Sequence, residues 1–460
     1  MTGTINMRKE TFFTRDKTFY KSFLGMTLVV ALQNLVAFSV NMTDNIMLGN
    51  YSQEALSGAA IVNQIFFVVQ QLTFGIGNAI VMIGSQYWGK QKTGPICEIT
   101  GIALEIGIIF SVIIVFCCSF FPIRFISLFT NSSPIIEQGC EYLYLMQWTF
   151  VLFIFSSILM STLRSVETVK ISFYISIITL IVNAVINYTL IFGKFGFPEM
   201  GITGAAIGTL VARIIELGIV IIYLFKLDTK IRIFTHGNIF KINDSLKKDF
   251  YKILIPIIIN QFFWAISIPI QTAILGHLSD DAIAANSISS TFFQYLKVIV
   301  VALSSASGVL IGIDIGRGDL ARVRSDARTM AFIDIVVGIV LAIILYLLRY
   351  PLLSMYQLTD AAMELSLNLI IVMSFVMVGM SYQLPVLMGI IQGGGDTNFV
   401  VKLTMISMWL IVMPLSFLAA FVWNWPVELV VLVIQSDQIF KCVPAFIHFR
   451  SYKWIRKLAR

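Results

Sequence analysis

A small set of polar residues inside otherwise apolar stretches of this sequence has the chemistry to bind a cation. Asn41 and Asp44 are three residues apart and so share one face of a helix. Asn183 and Asn187, four residues apart, do the same, and Thr209 adds a hydroxyl. Such oxygens are hard ligands for Na⁺, or hydrogen-bonding neighbours for an acid that takes up H⁺. These five residues are therefore candidates for a cation site; the alternative is that the amides only hold helices together.

Three charged residues also lie deep within apolar stretches, where a charge needs a partner or a function. Arg213 and Glu216 are three residues apart, so we expect them to pair with each other. Lys297 has no acidic residue three or four positions away. It is therefore predicted to face a substrate cavity, to pair with an acid on another helix, or to extend toward the lipid headgroups.

The composition shows what kind of protein carries these residues. Of the 460 residues, 58% are hydrophobic and 12% are charged, whereas soluble domains carry about 25% charged residues. This balance excludes a soluble enzyme, a nucleic-acid-binding protein and a disordered scaffold. Five cysteines with no CxxC spacing also exclude a disulfide framework and a zinc module. We expect no metal site other than a possible Na⁺ at the cation site.

Apolar runs of membrane-spanning length recur twelve times along the chain. Backbone groups in lipid must hydrogen-bond within their own segment, so runs of this length are helices, and the chain is predicted to be all-α. The predicted spans are approximately 22–48, 56–87, 97–121, 135–160, 169–193, 201–226, 250–275, 282–313, 329–350, 361–391, 399–422 and 428–450.

The positions of lysine and arginine predict the orientation of these spans. Of the 32 cationic residues, 27 lie at the two ends or in loops on one side, and only 3 lie in loops on the other. Cytoplasmic loops carry such an excess, so both termini are predicted to be cytoplasmic. The predicted organisation is a cytoplasmic tail at 1–21, a six-helix lobe at 22–226, a cytoplasmic linker at 227–249, a second six-helix lobe at 250–450 and a cytoplasmic tail at 451–460.

The two halves of the chain resemble each other. Residues 19–21, Phe-Tyr-Lys, recur 231 positions later at 250–252, and further short matches follow at similar offsets. Six spans per repeat is an even number, so the repeats are parallel and related by an axis along the membrane normal. Two such lobes around a central cleft could give alternating access by rocking. Asp44 corresponds to Gln271 in this repeat, so the candidate cation site belongs to the first lobe alone.

Several segments, in order along the chain, resemble the multidrug and toxic compound extrusion (MATE) transporters. Residues 41–49, Asn-Met-Thr-Asp-Asn-Ile-Met-Leu-Gly, resemble the first-helix element of that family. Residues 183–193 and 201–206 resemble its hairpin of helices five and six, and 393–397, Gly-Gly-Gly-Asp-Thr, resemble its turn after helix ten. The resemblance implies twelve helices in two pseudo-symmetric lobes that form a V around a central cleft.

The resemblance also implies roles for individual residues. Asp44 matches the coupling aspartate of the family's first helix, Asn183 its helix-five asparagine and Thr209 its helix-six threonine. Asn187 replaces an acid that many members carry on helix five, and Gly25 lies where the family has a proline on its first helix.

A second departure from the family lies on helices seven and ten. Where some branches carry acids, this chain has Gln261, Trp264 and Ser381. These three residues and Lys297 are the candidates for the lining of a substrate cavity.

The resulting hypothesis is a cation-coupled antiporter that exports amphipathic, cationic organic compounds by alternating access, with H⁺ or Na⁺ as the coupling ion. The alternative is a flippase for lipid-linked sugars or other polyprenyl-type substrates, which would need a strongly basic cavity. A membrane enzyme is disfavoured because no convergent set of aspartate, histidine and serine appears.

We further expect no cofactor, no nucleic-acid partner and a monomer that works on a small organic molecule within the lipid bilayer. The predicted location is the cell (inner or plasma) membrane.

Overall fold

The computed structural model of the chain describes residues 12–233, 243–278, 280–354 and 359–459. In those ranges the regular structure is entirely helical, and twelve helices are long and apolar enough to cross a membrane. They are α1 Lys17–Tyr51, α2 Gln53–Gly89, α3 Gly94–Phe120, α4 Ser133–Ser165, α5 Lys170–Ile191, α6 Gly201–Lys226, α7 Asp244–Gly276, α8 Ala285–Arg317, α9 Leu320–Leu353, α10 Asp360–Ile391, α11 Thr397–Val422 and α12 Val427–Ser451. The predicted all-α class and the number of spans are confirmed.

Most predicted spans agree with these helices to within a few residues, but the start of α9 was predicted wrongly. The prediction placed it at residue 329, because Arg322, Asp326 and their polar neighbours end the apolar run. The structure begins α9 at Leu320, where the Asp319 side chain accepts a hydrogen bond from the Arg322 backbone N–H at 3.0 Å. A capped helix extends beyond its apolar part, so hydropathy alone places the start of this helix too late.

The chain divides into two compact units. The N unit comprises Leu32–Gly84 and Lys92–Leu254, and the C unit comprises the described residues of Met1–Ala31, Ser85–Gln91 and Ile255–Arg460. The boundaries predicted for the lobes, the linker and the tails stay predictions. Residues 1–11, 234–242 and 460 of those segments lie outside the described ranges.

Close helix packing in the N unit depends on small residues. A Cβ added at Gly77 on α2 would lie 2.5 Å from the Ser161 Oγ on α4, and one at Gly84 would lie 2.9 Å from the Ser165 Oγ. Small residues let helix backbones approach closely where lipid offers no hydrophobic driving force. This packing holds α4 beside α2 along more than one turn.

The hairpin of α5 and α6 uses the same principle. Gly204 and Gly208 of α6, four residues apart, lie against α5: a Cβ at Gly204 would lie 2.8 Å from the Leu190 carbonyl carbon. A Cβ at Gly208 would overlap the side-chain oxygen of Asn187. This close approach places the polar faces of α5 and α6 side by side.

In the C unit, α8, α9 and α10 pack around a large apolar core that includes Met377, Val300 and Leu341. From Pro385 to Ile391, α10 winds as a π-helix. Proline lacks the N–H of a regular helical hydrogen bond, and π-helical turns are frequent at functional sites.

The glycine-rich segment after α10 forms a turn, as predicted. Gly395 has φ +104°, a value that favours glycine because it has no Cβ. Asp396 then caps α11 by accepting from the Phe399 backbone N–H at 3.3 Å, and it pairs with Arg456 at 3.0 Å. The turn therefore holds the end of the chain against the C unit.

Candidate functional site

Asp44 lies on α1 within the N unit and is buried, with only 8% of its surface exposed. The side-chain Nδ2 of Asn187 donates a hydrogen bond to Asp44 Oδ1 at 2.6 Å. A charge-assisted hydrogen bond is short and stronger than a neutral one. The structure thus joins α1 to α5 through the carboxylate that the sequence singled out.

The remaining residues of the predicted site continue this network. The Asn187 amide also donates to Asn183 Oδ1 at 3.4 Å, and the Asn183 Nδ2 donates to Thr209 Oγ1 at 3.2 Å. Thr209 in turn donates to the Ala205 carbonyl at 3.0 Å. All of these side chains are buried. Asp44, Asn187, Asn183 and Thr209 therefore form one connected polar cluster, which we call the Asp44 cluster.

One acceptor in the Asp44 cluster has no donor. The Asn187 Oδ1 is buried and has no hydrogen-bond partner in the part of the chain that the structure describes. Buried polar atoms are nearly always paired, so an orphan acceptor beside a carboxylate marks a position where a proton donor or a cation would be favourable.

Tyr142 and Arg213 belong to this site but were not predicted as members. Tyr142 on α4 is almost fully buried, and its hydroxyl hydrogen-bonds with Thr209. Arg213 on α6 acts electrostatically on Asp44. Depth could have identified Tyr142: nine residues from the start of α4 place it about 14 Å along that helix, close to the depth of Thr209 on α6.

Asn41 lies apart from the hydrogen bonds of the Asp44 cluster. It lines an adjoining cavity of about 160 Å³ in the N unit, together with Asn183 and Thr209. The cavity and the cluster therefore share a wall. Its other polar or aromatic lining residues are Gln33, Asn34, Gln70, Phe74, Phe153, Ser157, Ser161, Arg164, Ser176, Thr179, Arg213 and Glu216.

Two of the three charged residues that line this cavity form an ion pair. Arg213 pairs with Glu216 at 2.7 Å, which confirms the predicted pair, and its guanidinium lies 5.0 Å from the centre of the Phe153 ring. The hydroxyl of Ser156 donates to Glu216 at 2.5 Å. Buried ions are tolerated when they are paired and hydrogen-bonded. The wall thus offers amides, hydroxyls and aromatic rings, together with this ion pair and the guanidinium of Arg164.

The structure brings two of the four substrate-cavity candidates together. In the C unit, the Lys297 ammonium lies 5.5 Å from the centre of the Trp264 ring, within range of a cation–π interaction. The acid that acts on Lys297 electrostatically is Asp437 of α12, which itself pairs with Lys441 at 2.7 Å. The aromatic contact was not among the outcomes predicted for Lys297, and Asp437 on another helix acts on it electrostatically; a cavity role stays a prediction.

The other two candidates lie elsewhere. Gln261 is partly exposed on α7, whereas Ser381 on α10 is fully buried. Ser381 packs against Gly338 of α9, where an added Cβ would overlap its side chain. A cavity role for these residues remains a prediction.

Comparison with known proteins identifies the family. The sequence model of the MatE family matches residues 30–189 and 256–418. The probable multidrug resistance protein NorM of Halalkalibacterium halodurans is 25% identical over 407 residues, which cover 87% of both chains. Its counterpart of the same name from Thermotoga maritima is 23% identical over 440 residues, covering 95% of this chain and 93% of the relative.

Solved structures share the fold at lower identity. An outward-facing multidrug resistance MATE family transporter of the MOP superfamily superposes with a TM-score of 0.85 at 14% identity, covering 95% of this chain and 98% of that one. The bent form of the Vibrio cholerae MATE transporter VcmN gives a TM-score of 0.84 at 17% identity, covering 94% and 97%. Since the family match extends over most of the sequence and the twelve helices have the same fold, the chain belongs to the MatE family of multi-pass membrane transporters.

Proposed function

We propose that this protein is a multidrug exporter that uses an inward flow of H⁺ or Na⁺ to expel amphipathic, cationic organic compounds by alternating access. The observation that carries the proposal is the wall shared by the Asp44 cluster and the 160 Å³ cavity. Asn183 and Thr209 belong to both. A cation that binds at Asp44 would rearrange hydrogen bonds that also shape the cavity, which is the differential interaction that coupling requires.

Two features favour H⁺ over Na⁺ as the coupling ion. The cluster holds a single carboxylate, and Asn187 presents its nitrogen, not its oxygen, to Asp44. A Na⁺ ion would need that amide to turn and more oxygen atoms to converge. Protonation needs only a local rearrangement, because a neutral carboxyl group can both donate and accept hydrogen bonds.

The substrate assignment rests on the cavity lining and on the names of the relatives. Those relatives are called probable multidrug resistance proteins. Aromatic rings such as Phe74 and Phe153 can contact apolar or cationic groups, and the amides can adapt to different polar groups. The flippase alternative receives less support, because Arg213 is paired with Glu216 and this leaves Arg164 as the single cationic lining residue outside that pair.

The surroundings follow from the same reasoning. We place the protein in the cell membrane as a monomer with both termini cytoplasmic, because the loops carry the strong cation bias described above. Its predicted partners are the lipid bilayer and the exported molecule, with no nucleic acid and no cofactor other than the coupling ion.

The test is transport by purified protein in liposomes. A fluorescent organic cation would be followed while a H⁺ gradient or a Na⁺ gradient is imposed alone. We expect the H⁺ gradient to accelerate export several-fold over liposomes without a gradient. If only the Na⁺ gradient accelerated export, the coupling ion would be Na⁺ and not H⁺. Transport insensitive to both gradients would contradict coupled antiport.

A further inference from the structure

The C unit contains a carboxyl group that none of the features above uses. Asp334 lies on α9, fourteen residues from Leu320 and thus about 21 Å along the helix. It is fully buried, with 0% of its surface exposed. Neither of its carboxylate oxygens has a hydrogen-bond partner in the described part of the chain.

An isolated carboxylate in such a position is strongly disfavoured. The cost of transferring an unpaired charge to an apolar interior is so high that the group takes up a proton instead. Asp334 is therefore accommodated as a neutral acid in the arrangement seen here. The question is whether its surroundings also allow the ionised form.

Two hydroxyl groups lie on the part of α10 that packs against this part of α9. Ser381 Oγ and Tyr382 Oη are buried, and neither has a hydrogen-bond partner among the described residues. Tyr382 interacts electrostatically with Asp334. Ser381 lies against Gly338, one helical turn beyond Asp334, where the missing side chain lets α10 approach α9. Three orphan polar groups thus occupy one apolar region, at the point where the π-helix of α10 begins.

These hydroxyls suit both protonation states of an acid. A hydroxyl group both donates and accepts hydrogen bonds. With a small rotation, Tyr382 can accept from a neutral Asp334, or Tyr382 and Ser381 can donate to the carboxylate. A purely structural neutral acid would need only one fixed acceptor, which the structure does not provide.

Among the described residues, no charged group on the neighbouring helices forms an ion pair with Asp334. Near the start of α9, Asp326 and the α8 residue Asp314 contact Arg322, and Arg317 contacts Asp314. Asp326 is two turns, or about 12 Å, away along α9. On α12, Lys441 is paired with Asp437, and Cys442 is a neighbour of Tyr382. Lys297 of α8 interacts with Asp437. The charge of an ionised Asp334 is thus countered only by a returning proton.

We propose that Asp334, with Tyr382 and Ser381, forms a second proton-binding site, which lies in the C unit and is separate from the Asp44 cluster. Its reaction is the reversible addition of one proton from water to a carboxylate oxygen. A role for this site in the transport cycle rests on the proposed proton coupling. Proton binding at Asp334 does not depend on that coupling and can be measured without any substrate.

A hydrophobic carbodiimide, which modifies neutral carboxyl groups within a membrane, provides the measurement. The wild-type protein in liposomes would be treated at a series of pH values, and modification of the Asp334 peptide would be quantified by mass spectrometry. We expect modification at low pH that declines as pH rises, by about tenfold per pH unit above the midpoint. Equal modification at every pH, or none at any pH, would overturn the proposal.

Three variants separate the site from its surroundings. Ser381→Ala and Tyr382→Phe should change the midpoint of Asp334 modification, because each removes a hydroxyl beside the acid. Ser374→Ala is the matched control: this serine is also buried on α10, but it donates to the Ile370 carbonyl at 2.7 Å and should leave the midpoint unchanged. An equal midpoint in all three variants would contradict the assignment of the hydroxyls.

A background variant separates this proposal from the proposed function. In Asp44→Asn the titration of Asp334 should persist even if export is lost. If Asp334 still titrates in Asp44→Asn while the wild type shows no gradient-driven export, the proposed antiport would be overturned but the second proton-binding site would be supported. Loss of Asp334 modification in Asp44→Asn would show that the two carboxyls are not separate sites.

Discussion

Corresponding positions of the two repeats have opposite character. In the N unit, Asp44 accepts a hydrogen bond from Asn187 and is linked through it to Asn183. In the C unit, the position matching Asp44 in the predicted repeat is Gln271, whose side-chain amide donates to the Met408 sulfur at 3.5 Å. Met408 belongs to a small apolar cluster with Val412, the counterpart of Asn183 in the repeat.

This difference separates what helix packing requires at these positions from what the polar residues of the N unit add. Helices can pack through apolar side chains at these positions, since the C unit does so. Burying a carboxylate and two amides does not make the folded state more stable than such apolar packing unless every polar group is paired. One acceptor of the Asp44 cluster is unpaired in the described part of the chain, so the cluster is not explained by pairing alone, and its functional role is our proposal.

The largest effect on export is expected where the Asp44 cluster depends on a missing side chain. Gly208→Ala would place a methyl group against the Asn187 oxygen. We expect loss of gradient-driven export and a stability loss of about 1–3 kcal/mol from overpacking. Export and thermal unfolding would be measured on the same preparation.

The same helix supplies the control for this variant. Gly218 has nothing within 4 Å of its added Cβ, so Gly218→Ala should export like the wild type. Equal behaviour of the two variants would mean that the Asn187 contact has no role.

A large effect on stability is expected from the ion pair beside the cavity. Arg213→Met leaves Glu216, which is almost fully buried, with only its Ser156 hydrogen bond. Removing one partner of a buried pair costs about 3–5 kcal/mol, and the partial exposure of Arg213 points to the lower end. Thermal unfolding in detergent checks this, and the double variant Arg213→Met with Glu216→Leu should recover most of the loss. No recovery would show that packing, not charge, is responsible.

A moderate effect on selectivity is expected in the C unit. Lys297→Met keeps the apolar part of the side chain but removes the ammonium that lies over Trp264. We expect the relative export rates of cationic and neutral substrates to change by several-fold, with folding largely retained. A panel of fluorescent substrates measures this, and normal export of all of them would exclude Lys297 from substrate selection.

The smallest effect is expected at the position that matches Asp44 in the repeat. Gln271→Leu removes only a weak contact with a sulfur atom, so stability should change by no more than about 0.5 kcal/mol. Export should stay near the wild-type rate. A loss as severe as that expected for Gly208→Ala would show that the two repeats contribute equally, against the comparison above.

The sequence predicted the fold well because lipid restricts the possible structures so strongly. Each span needs a long apolar run, and such runs can only be helices, so the twelve helices were found. The start of α9 was missed because Arg322 and Asp326 end the apolar run although the helix continues. The distribution of lysine and arginine predicts cytoplasmic termini, and this orientation in the membrane remains a prediction.

The candidate site was predicted in part. Helical spacing and depth placed Asp44, Asn187 and Asn183 together, and the structure joins them by hydrogen bonds. Tyr142 was missed because an aromatic residue in an apolar run is ordinarily packing. Asp334 was not predicted as a site, because periodicity cannot show that a carboxyl group on α9 has no partner. Pairing between helices distant in sequence becomes visible only in three dimensions.

The central claim is that Asp44 couples the driving cation to export, and the variant Asp44→Asn tests it most directly. The amide has the size of the protonated acid but cannot exchange a proton. The measurement compares export of a fluorescent organic cation by wild type and variant in liposomes at matched protein density, with the H⁺ gradient and the Na⁺ gradient each imposed alone. We predict that the variant folds and binds the substrate but shows no acceleration by either gradient. Full gradient-driven export by Asp44→Asn would contradict the account and place the coupling site elsewhere.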